Sequence, residues 1–232
     1  TVHGPSIPAL LPWMARFALA AYSNAEVRKG IDSFGMLMAE ANLAWKAEIQ
    51  ASGLGELFKS RGALYVYESE DEFASGEDER LLQKAKGTEF EIVDGTRARE
   101  LAPGLSSHIV RGVYYPQGMH TVDPYRVVAT LAERFAAEGG TVLRGRVRGF
   151  GRDGRRVTSV QLTDSELPAK AVVIAAGRAS GELTRLLGFN APLVAERGYH
   201  VMLAPDNLRF ELPVSPAERG FFITPMQEGL RL

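Results

Sequence analysis

A chain of 232 residues, 45% hydrophobic and 24% charged, has an ordinary soluble composition and is long enough to bury a real core. Its 27 Lys+Arg against 28 Asp+Glu leave a net charge of -1, so no electrostatic footprint points to nucleic acid or an anionic membrane surface. The absence of cysteine excludes disulfides, a thiolate nucleophile and Cys-ligated metals, and it fits a reducing compartment.

The first segment, Ile7 to Tyr22, is the most apolar of the chain, but it is shorter than the roughly 20 residues a spanning helix needs. It also carries Pro8, Pro12 and Arg16, and it reads as a surface or interface helix. These 232 residues show no signal peptide with a basic n-region. The start at TVHGPS without methionine and the stop at GLRL are read as those of a middle piece, and a longer protein is expected. From Asn24 to about Ser52, apolar residues at Val27, Ile31, Phe34, Met38, Ala41, Trp45 and Ile49 define one long amphipathic helix. Gly62 then gives a turn, and Ala63 to Tyr67 a strand. Glu68 to Glu79 is an acidic run, read as a solvated face, leading into a helix that ends near Gly87. Thr88 to Val93 alternates as a strand, RARELAPGL reads as a short helix stopped at Pro103, and Ile109 to Pro116 is a further strand.

The next helix is the clearest. Asp123 is its N-cap, Pro124 its first residue, and Val127, Val128, Leu131 and Phe135 its apolar stripe, with Gly139-Gly140 ending it. A strand from Thr141 to about Arg148 follows, then a hairpin through Val157 to Leu162 and a turn at Pro168. Ala171 to Ile174 is a short apolar run of the kind buried on both faces of a parallel sheet. It ends in Ala175-Ala176-Gly177. Ser180 reads as the N-cap of a helix through Leu183, Leu186 and Leu187, with Gly188 at its C-terminal end. Small residues between a strand and a helix let the phosphates of a ligand approach the main chain, although most such turns bind nothing. The segments RGYHVML and GFFITP return as long alternating strands of an antiparallel sheet.

The literal G-x-G-x-x-G at Gly149 to Gly154 is not a dinucleotide fingerprint. That fingerprint must open a helix, whereas RRVTSVQL follows here as a strand and Asp153-Gly154 is a hairpin turn. The serine of GRASG, Gly177 to Gly181, stands one place late for a nucleophile elbow, which removes acyl hydrolysis. His3, His108, His120 and His200 show no metal-ligand spacing, so no metal is expected. A lone strand histidine is more often structural than catalytic.

Taken in order, VYYPQGMHTVDPYRVVATLAERFAAEGGTVLRGRV, a meander, AVVIAAGRASGELTRLLG, RGYHVML and FFITPMQEGLRL resemble the D-amino-acid oxidase superfamily of FAD-dependent oxidoreductases. They are most similar to its bacterial D-amino-acid dehydrogenase small-subunit branch, and PALLPWMARFAL near the N-terminus joins the match. The resemblance implies a mixed α+β and α/β fold: an antiparallel substrate-domain sheet with helices, plus part of a glutathione-reductase-like FAD-binding domain. Its boundaries fall at 1–117 for the first part of the substrate domain, 118–192 for the partial FAD-binding domain, and 193–232 for the second part of the substrate domain.

The resemblance also implies site residues. Val147 presents main-chain groups to the FAD adenine, and Ala175, Ala176, Gly177 and Arg178 lie along the ADP half. Tyr199 and His200 sit near the flavin. Phe222, in the place where relatives such as glycine oxidase carry an aromatic before I-x-P, faces the substrate, as do Tyr115 and His120. Where the relative has Tyr, Phe222 cannot donate a hydrogen bond. No residue is assigned as a catalytic acid or base.

The family's N-terminal G-x-G-x-x-G unit and the C-terminal part with its substrate-carboxylate arginine are not in this sequence, so FAD is expected in the full-length protein and not in this piece. The implied reaction is oxidation of a D-amino acid or related amine by hydride transfer to flavin N5. Glycine and sarcosine oxidases are the near alternative, and a non-catalytic cap or interaction module is the alternative from another class. Glycerol-3-phosphate dehydrogenases fit less well, because no basic cluster suited to phosphate is visible. A cytoplasmic location is implied; association with the inner membrane, a dimer, and the electron acceptor stay open.

Overall fold

The computed structural model describes residues 7–193, 195, 197–204 and 210–232. By its internal contacts the chain divides into two compact units, Thr1–Leu131 with Met202–Leu232, and Ala132–Val201. In chain order the elements begin with α1 (Ile7–Tyr22), α2 (Asn24–Ala51), β1 (Phe58–Lys59), β2 (Ala63–Tyr67), α3 (Glu70–Ser75) and α4 (Glu77–Ala85). Then come β3 (Glu91–Asp94), α5 (Gly95–Leu101), β4 (Arg111–Tyr115), β5 (His120–Thr121) and α6 (Pro124–Ala137). The second unit contributes β6 (Val147–Asp153), β7 (Arg156–Leu162), β8 (Glu166–Pro168) and α7 (Ser180–Leu186). The chain closes with β9 (Met202–Leu203), β10 (Val214–Pro216), β11 (Thr224–Met226) and β12 (Gly229–Arg231). Among the described residues no helix is long and apolar enough to cross a membrane.

The helix starts follow local chemistry. Ser23 Oγ accepts from the Glu26 N–H at 3.4 Å, Ser69 Oγ from Glu72 at 3.1 Å, Asp94 Oδ1 from Arg97 at 2.8 Å and Asp123 Oδ1 from Arg126 at 3.0 Å. Each satisfies one of the amide donors that a helix start leaves free. Pro124 follows Asp123 as the first residue of α6, where its missing N–H costs nothing.

The main sheet of the first unit runs β10-β2-β4-β3. Its pairs are antiparallel except at one edge, where β10 runs parallel to β2 with Val214 opposite Leu64. The strand next to β2 thus comes from the far end of the chain. Alternation along β2 sends Leu64 and Val66 to one face, both fully buried among Ala98, Ala102, Ile109, Phe210, Leu212 and Val214. Burying each such side chain contributes about 1.5–3 kcal/mol. On this face α5 lies so close that a Cβ on Gly95 would stand 2.0 Å from the Ile109 carbonyl oxygen. A second cluster joins Leu54, Leu57 and Val127, with Ile49, Phe58 and Leu131 packed against it, and ties α2 to α6. The smaller sheets of this unit are β1-β5 and β11-β12-β9.

In the second unit β6, β7 and β8 form an antiparallel meander. The β6–β7 turn carries Gly154 at φ +56, so the literal G-x-G-x-x-G is a strand and hairpin turn, as its flanking residues predict.

Four expectations are corrected here. The strand placed at Thr141 to Arg148 begins only at Val147 and runs on to Asp153; 141–146 is irregular. The buried strand at Ala171–Ile174 does not form: 170–176 is irregular and Val173 is 90% exposed. An apolar run becomes a buried strand only with hydrogen-bonded neighbours, and none of the described residues pairs with this one. RGYHVML contributes strand only at Met202–Leu203, and GFFITP only from Thr224, with Ile223 bridging Val214. Ser180 is the first residue inside α7, not its cap, and its Oγ instead accepts from the Ala176 N–H at 3.1 Å. Gly188 does follow the helix in the left-handed region, at φ +82.

Candidate active site

The face of β2 opposite the core carries Tyr65 and Tyr67. Antiparallel register places Ala63 opposite Tyr115 of β4, which brings the Tyr115 ring to Tyr65 across the sheet. The Tyr65 ring meets Tyr115 edge-on at 5.6 Å and Phe222 edge-on at 5.7 Å. Tyr67 meets Phe73 of α3 at 5.3 Å. The rings of Tyr65, Tyr67, Tyr115 and Phe222 wall a cavity of about 1140 Å³ that reaches to Ile31, Phe34 and Met38 of α2, all within the first unit; Phe73 is not among its lining residues. Such a cavity, mostly apolar with a few polar groups converging on it, is the form that small-molecule sites take.

Among its polar groups, Glu79, Arg80 and Gln83 come from α4. The Tyr115 hydroxyl donates to Gln83 Oε1 at 2.8 Å, and Gln83 Nε2 donates to Glu79 Oε1 at 3.1 Å. Arg80 lies with its guanidinium carbon 4.1 Å from the Phe73 ring centroid and is 8% exposed. Burial pushes the Tyr65 phenol up, with the Glu79 charge adding to it. Burial raises Tyr115 as well, against the Gln83 hydrogen bond. Tyr67 is also raised by burial, with the Arg80 charge and hydrogen bonding pulling the other way. All three phenols are therefore neutral at physiological pH and able to donate.

Of the five residues expected near substrate, the structure thus brings Tyr115 and Phe222 into one wall. His120 pairs with Lys59 in the β1–β5 ladder and does not line the cavity. Both ring nitrogens of this half-buried side chain are buried without a hydrogen-bond partner. Burial first, and the Lys59 charge second, hold its pKa below the usual 6.5, with a weak backbone interaction at Pro225 acting the other way. Tyr199 and His200 fall in the second unit, exposed and outside any strand. Among the described residues no three His, Asp or Glu gather as a metal would require.

The family model of FAD-dependent oxidoreductases, DAO, matches residues 11–232. The chain belongs to the DAO family. It is 29% identical to a D-amino-acid oxidase of Bradyrhizobium diazoefficiens over 97% of this chain and 53% of that protein. It is 27% identical to a D-amino acid dehydrogenase of Dechloromonas aromatica over 97% of this chain and 56% of that protein. The chain spans about half the length of the curated relatives it matches. Among solved structures, glycine oxidase from Geobacillus kaustophilus matches with a TM-score of 0.71 at 18% identity, over 83% of this chain and 53% of that one. Iminodiacetate oxidase from Chelativorans matches with a TM-score of 0.70 at 19% identity, over 84% and 55%. These two likenesses show the fold.

The DAO family uses FAD, and the residues expected to meet it lie in the second unit. Ala175, Ala176, Gly177 and Arg178 are all exposed. Gly177 has φ +53, with nothing within 4 Å of where a Cβ would stand. A flat, side-chain-poor ridge of this kind fits close approach by a dinucleotide, although the Ala176 N–H is already committed to Ser180. Val147 opens β6 opposite Leu162 and is partly buried. Tyr65, Tyr67 and Arg80 were not among the sequence candidates. The alternation of β2 carried the signal for the two tyrosines, whereas the acidic run around Arg80 concealed it.

Proposed function

We propose that this chain is part of a longer FAD-dependent enzyme that oxidatively deaminates D-amino acids. FAD, when bound, supplies the acceptor for hydride leaving the substrate Cα, and the resulting imine is hydrolysed to a 2-oxo acid and ammonia. In this reading 1–117 and 193–232 form the substrate domain and 118–192 part of the FAD-binding domain. The pairing of β10 with β2, which joins the two ends of the chain, supports the first of these. The Tyr65, Tyr115 and Phe222 wall seats the substrate side chain and excludes water, and the neutral Tyr65 phenol offers a hydrogen bond without competing for the amine proton, the Tyr115 hydroxyl being held by Gln83. An amine that binds neutral needs no general base, so no residue of this chain is assigned that role. Ala175 to Arg178 and Val147 hold part of the cofactor.

The observation that carries the reading is the aromatic cavity on one face of β2, in a chain matched over residues 11–232 by the DAO family. Its test is the visible spectrum of the purified full-length protein, before and after anaerobic addition of D-amino acids, L-amino acids, glycine or sarcosine. A flavin band bleached by D- but not L-isomers is expected. Bleaching by glycine or sarcosine alone would move the substrate to simple amines, and a protein without flavin would leave a binding module.

A further inference from the structure

Two arginines flank the Phe73 ring, which packs on the cavity-lining Tyr67, and they differ in what holds them; of the two only Arg80 lines the cavity. Arg111, 5.9 Å from the ring centroid, directs Nε to both Glu70 carboxylate oxygens at 3.0 Å and is thereby neutralised. Arg80, at 4.1 Å, has no ion pair among the described residues. Its Nη1 is buried and has no hydrogen-bond partner. A buried guanidinium left without its anion is costly. The fold nevertheless makes room for it: a Cβ on Gly76 would stand 2.8 Å from Nη1. Two carboxylates, Glu72 and Glu79, line the same cavity, and neither forms an ion pair with Arg80 among the described residues.

We infer that Arg80 binds a second carboxylate, carried on the substrate's side chain, so that the enzyme is built for acidic, dicarboxylic amino acids. The inference rests on the reading of the aromatic cavity as the substrate site. Phe222 packs on Tyr65; Tyr67 lies two residues further along the same face, about 7 Å by strand rise. Phe73 is another 5.3 Å from Tyr67, with Arg80 stacked upon it. Arg80 therefore stands at the end of the aromatic wall away from Phe222. A ligand whose amino-bearing carbon lies at Phe222 runs its methylenes along the rings and presents its distal end to Arg80. A planar guanidinium is suited to a carboxylate there because it donates two parallel hydrogen bonds.

The test uses the full-length flavoprotein, wild type against Arg80→Met and Arg80→Lys. Two quantities are read: kcat/KM for D-glutamate and D-alanine, and the flavin spectral change on titration with glutarate or propionate as unreactive ligands. Arg80→Met is expected to lower kcat/KM for D-glutamate about 10- to 100-fold, the range for losing a hydrogen bond to a charged group, and D-alanine less than about threefold. Glutarate binding weakens in parallel while propionate binding holds. Equal losses for both amino acids, or unchanged glutarate binding, overturn the inference. If Arg80→Met does not accumulate as folded flavoprotein, Arg80→Lys decides on the same ratio: selective loss for D-glutamate supports it and an unchanged ratio overturns it. The glutarate titration reads Arg80 without turnover, so a flavin that no D-amino acid bleaches defeats the proposed reaction separately.

Discussion

The two faces of β2 have the same backbone and opposite fates. Leu64 and Val66 are 0% exposed and belong to the main apolar cluster. Tyr65 and Tyr67, one residue out of phase, are half-buried against a cavity ringed by Arg80, Gln83 and Glu79. Period-two alternation put side chains on both sides of one sheet, and the chain used one side for stability and the other for a site. Substitutions on the first face should therefore lower stability and leave specificity alone, whereas substitutions on the second should do the reverse.

The largest expected effect is on the core face. Leu64→Ala removes a fully buried side chain at the centre of the main cluster, and should cost about 2–5 kcal/mol in denaturant unfolding of the full-length protein. Specific activity per folded molecule should stay near wild type; a specific loss of activity would show that the two faces are not independent. Gly95→Ala comes next. The added methyl meets a main-chain oxygen, Ile109 O at 2.0 Å, which cannot swing away as a side chain tip would. About 1–3 kcal/mol of destabilisation is expected, read as a lowered denaturant midpoint, and an unchanged midpoint would show that α5 is free to shift off the sheet.

The same contrast explains how much was legible in the sequence. The expected helix from Asn24 to about Ser52 is α2, the expected strand Ala63 to Tyr67 is β2, and the expected N-cap Asp123 is the cap of α6. For β2 the pattern reports a face whose partner lies within the described residues, whereas on α2 only Ile49 packs on a core cluster while Val27, Phe34, Met38 and Trp45 stay exposed. Ala171–Ile174 has an equally strong apolar run and no strand beside it, so composition named an environment that the described chain does not supply. The site was legible in part. Tyr115 and Phe222 came from family resemblance, and nothing in their own neighbourhoods would have paired them, since their contact runs through Tyr65. Arg80 was hidden because it follows Glu77, Asp78 and Glu79, and a charge run reads as solvated. What separates it from its neighbours is the helical turn that carries it back over Phe73, a tertiary fact.

On the cavity face the effects should be smaller in stability. Tyr115→Phe keeps the ring contact with Tyr65 but leaves Gln83 Oε1 without its donor. About 1 kcal/mol of stability is expected to go with that hydrogen bond. The chain of polar contacts from Tyr115 through Gln83 to Glu79 also loses its fixed end, so KM should rise more than kcat falls. A stability loss as large as that of Leu64→Ala would place Tyr115 in the core and erase the distinction between the faces.

The smallest effect belongs to His120, which lies on neither face. Its pKa in the folded protein is held below 6.5 by burial and Lys59, so between that depressed value and about 6.5 the unfolded chain binds the proton that the folded chain refuses. Stability from this group is therefore complete above pH 6.5 and declines as pH falls towards the folded pKa. Denaturation midpoints taken from pH 7.5 down to 5 should fall more steeply in the wild type than in His120→Gln, with the two curves parallel above pH 7. A steeper fall in the variant would mean that the folded protein favours protonated His120 and that an anion, not an apolar wall, faces the ring. Because His120 does not line the cavity, the D-glutamate to D-alanine preference should be the same in both proteins; a changed preference would extend the substrate site to the β1–β5 ladder.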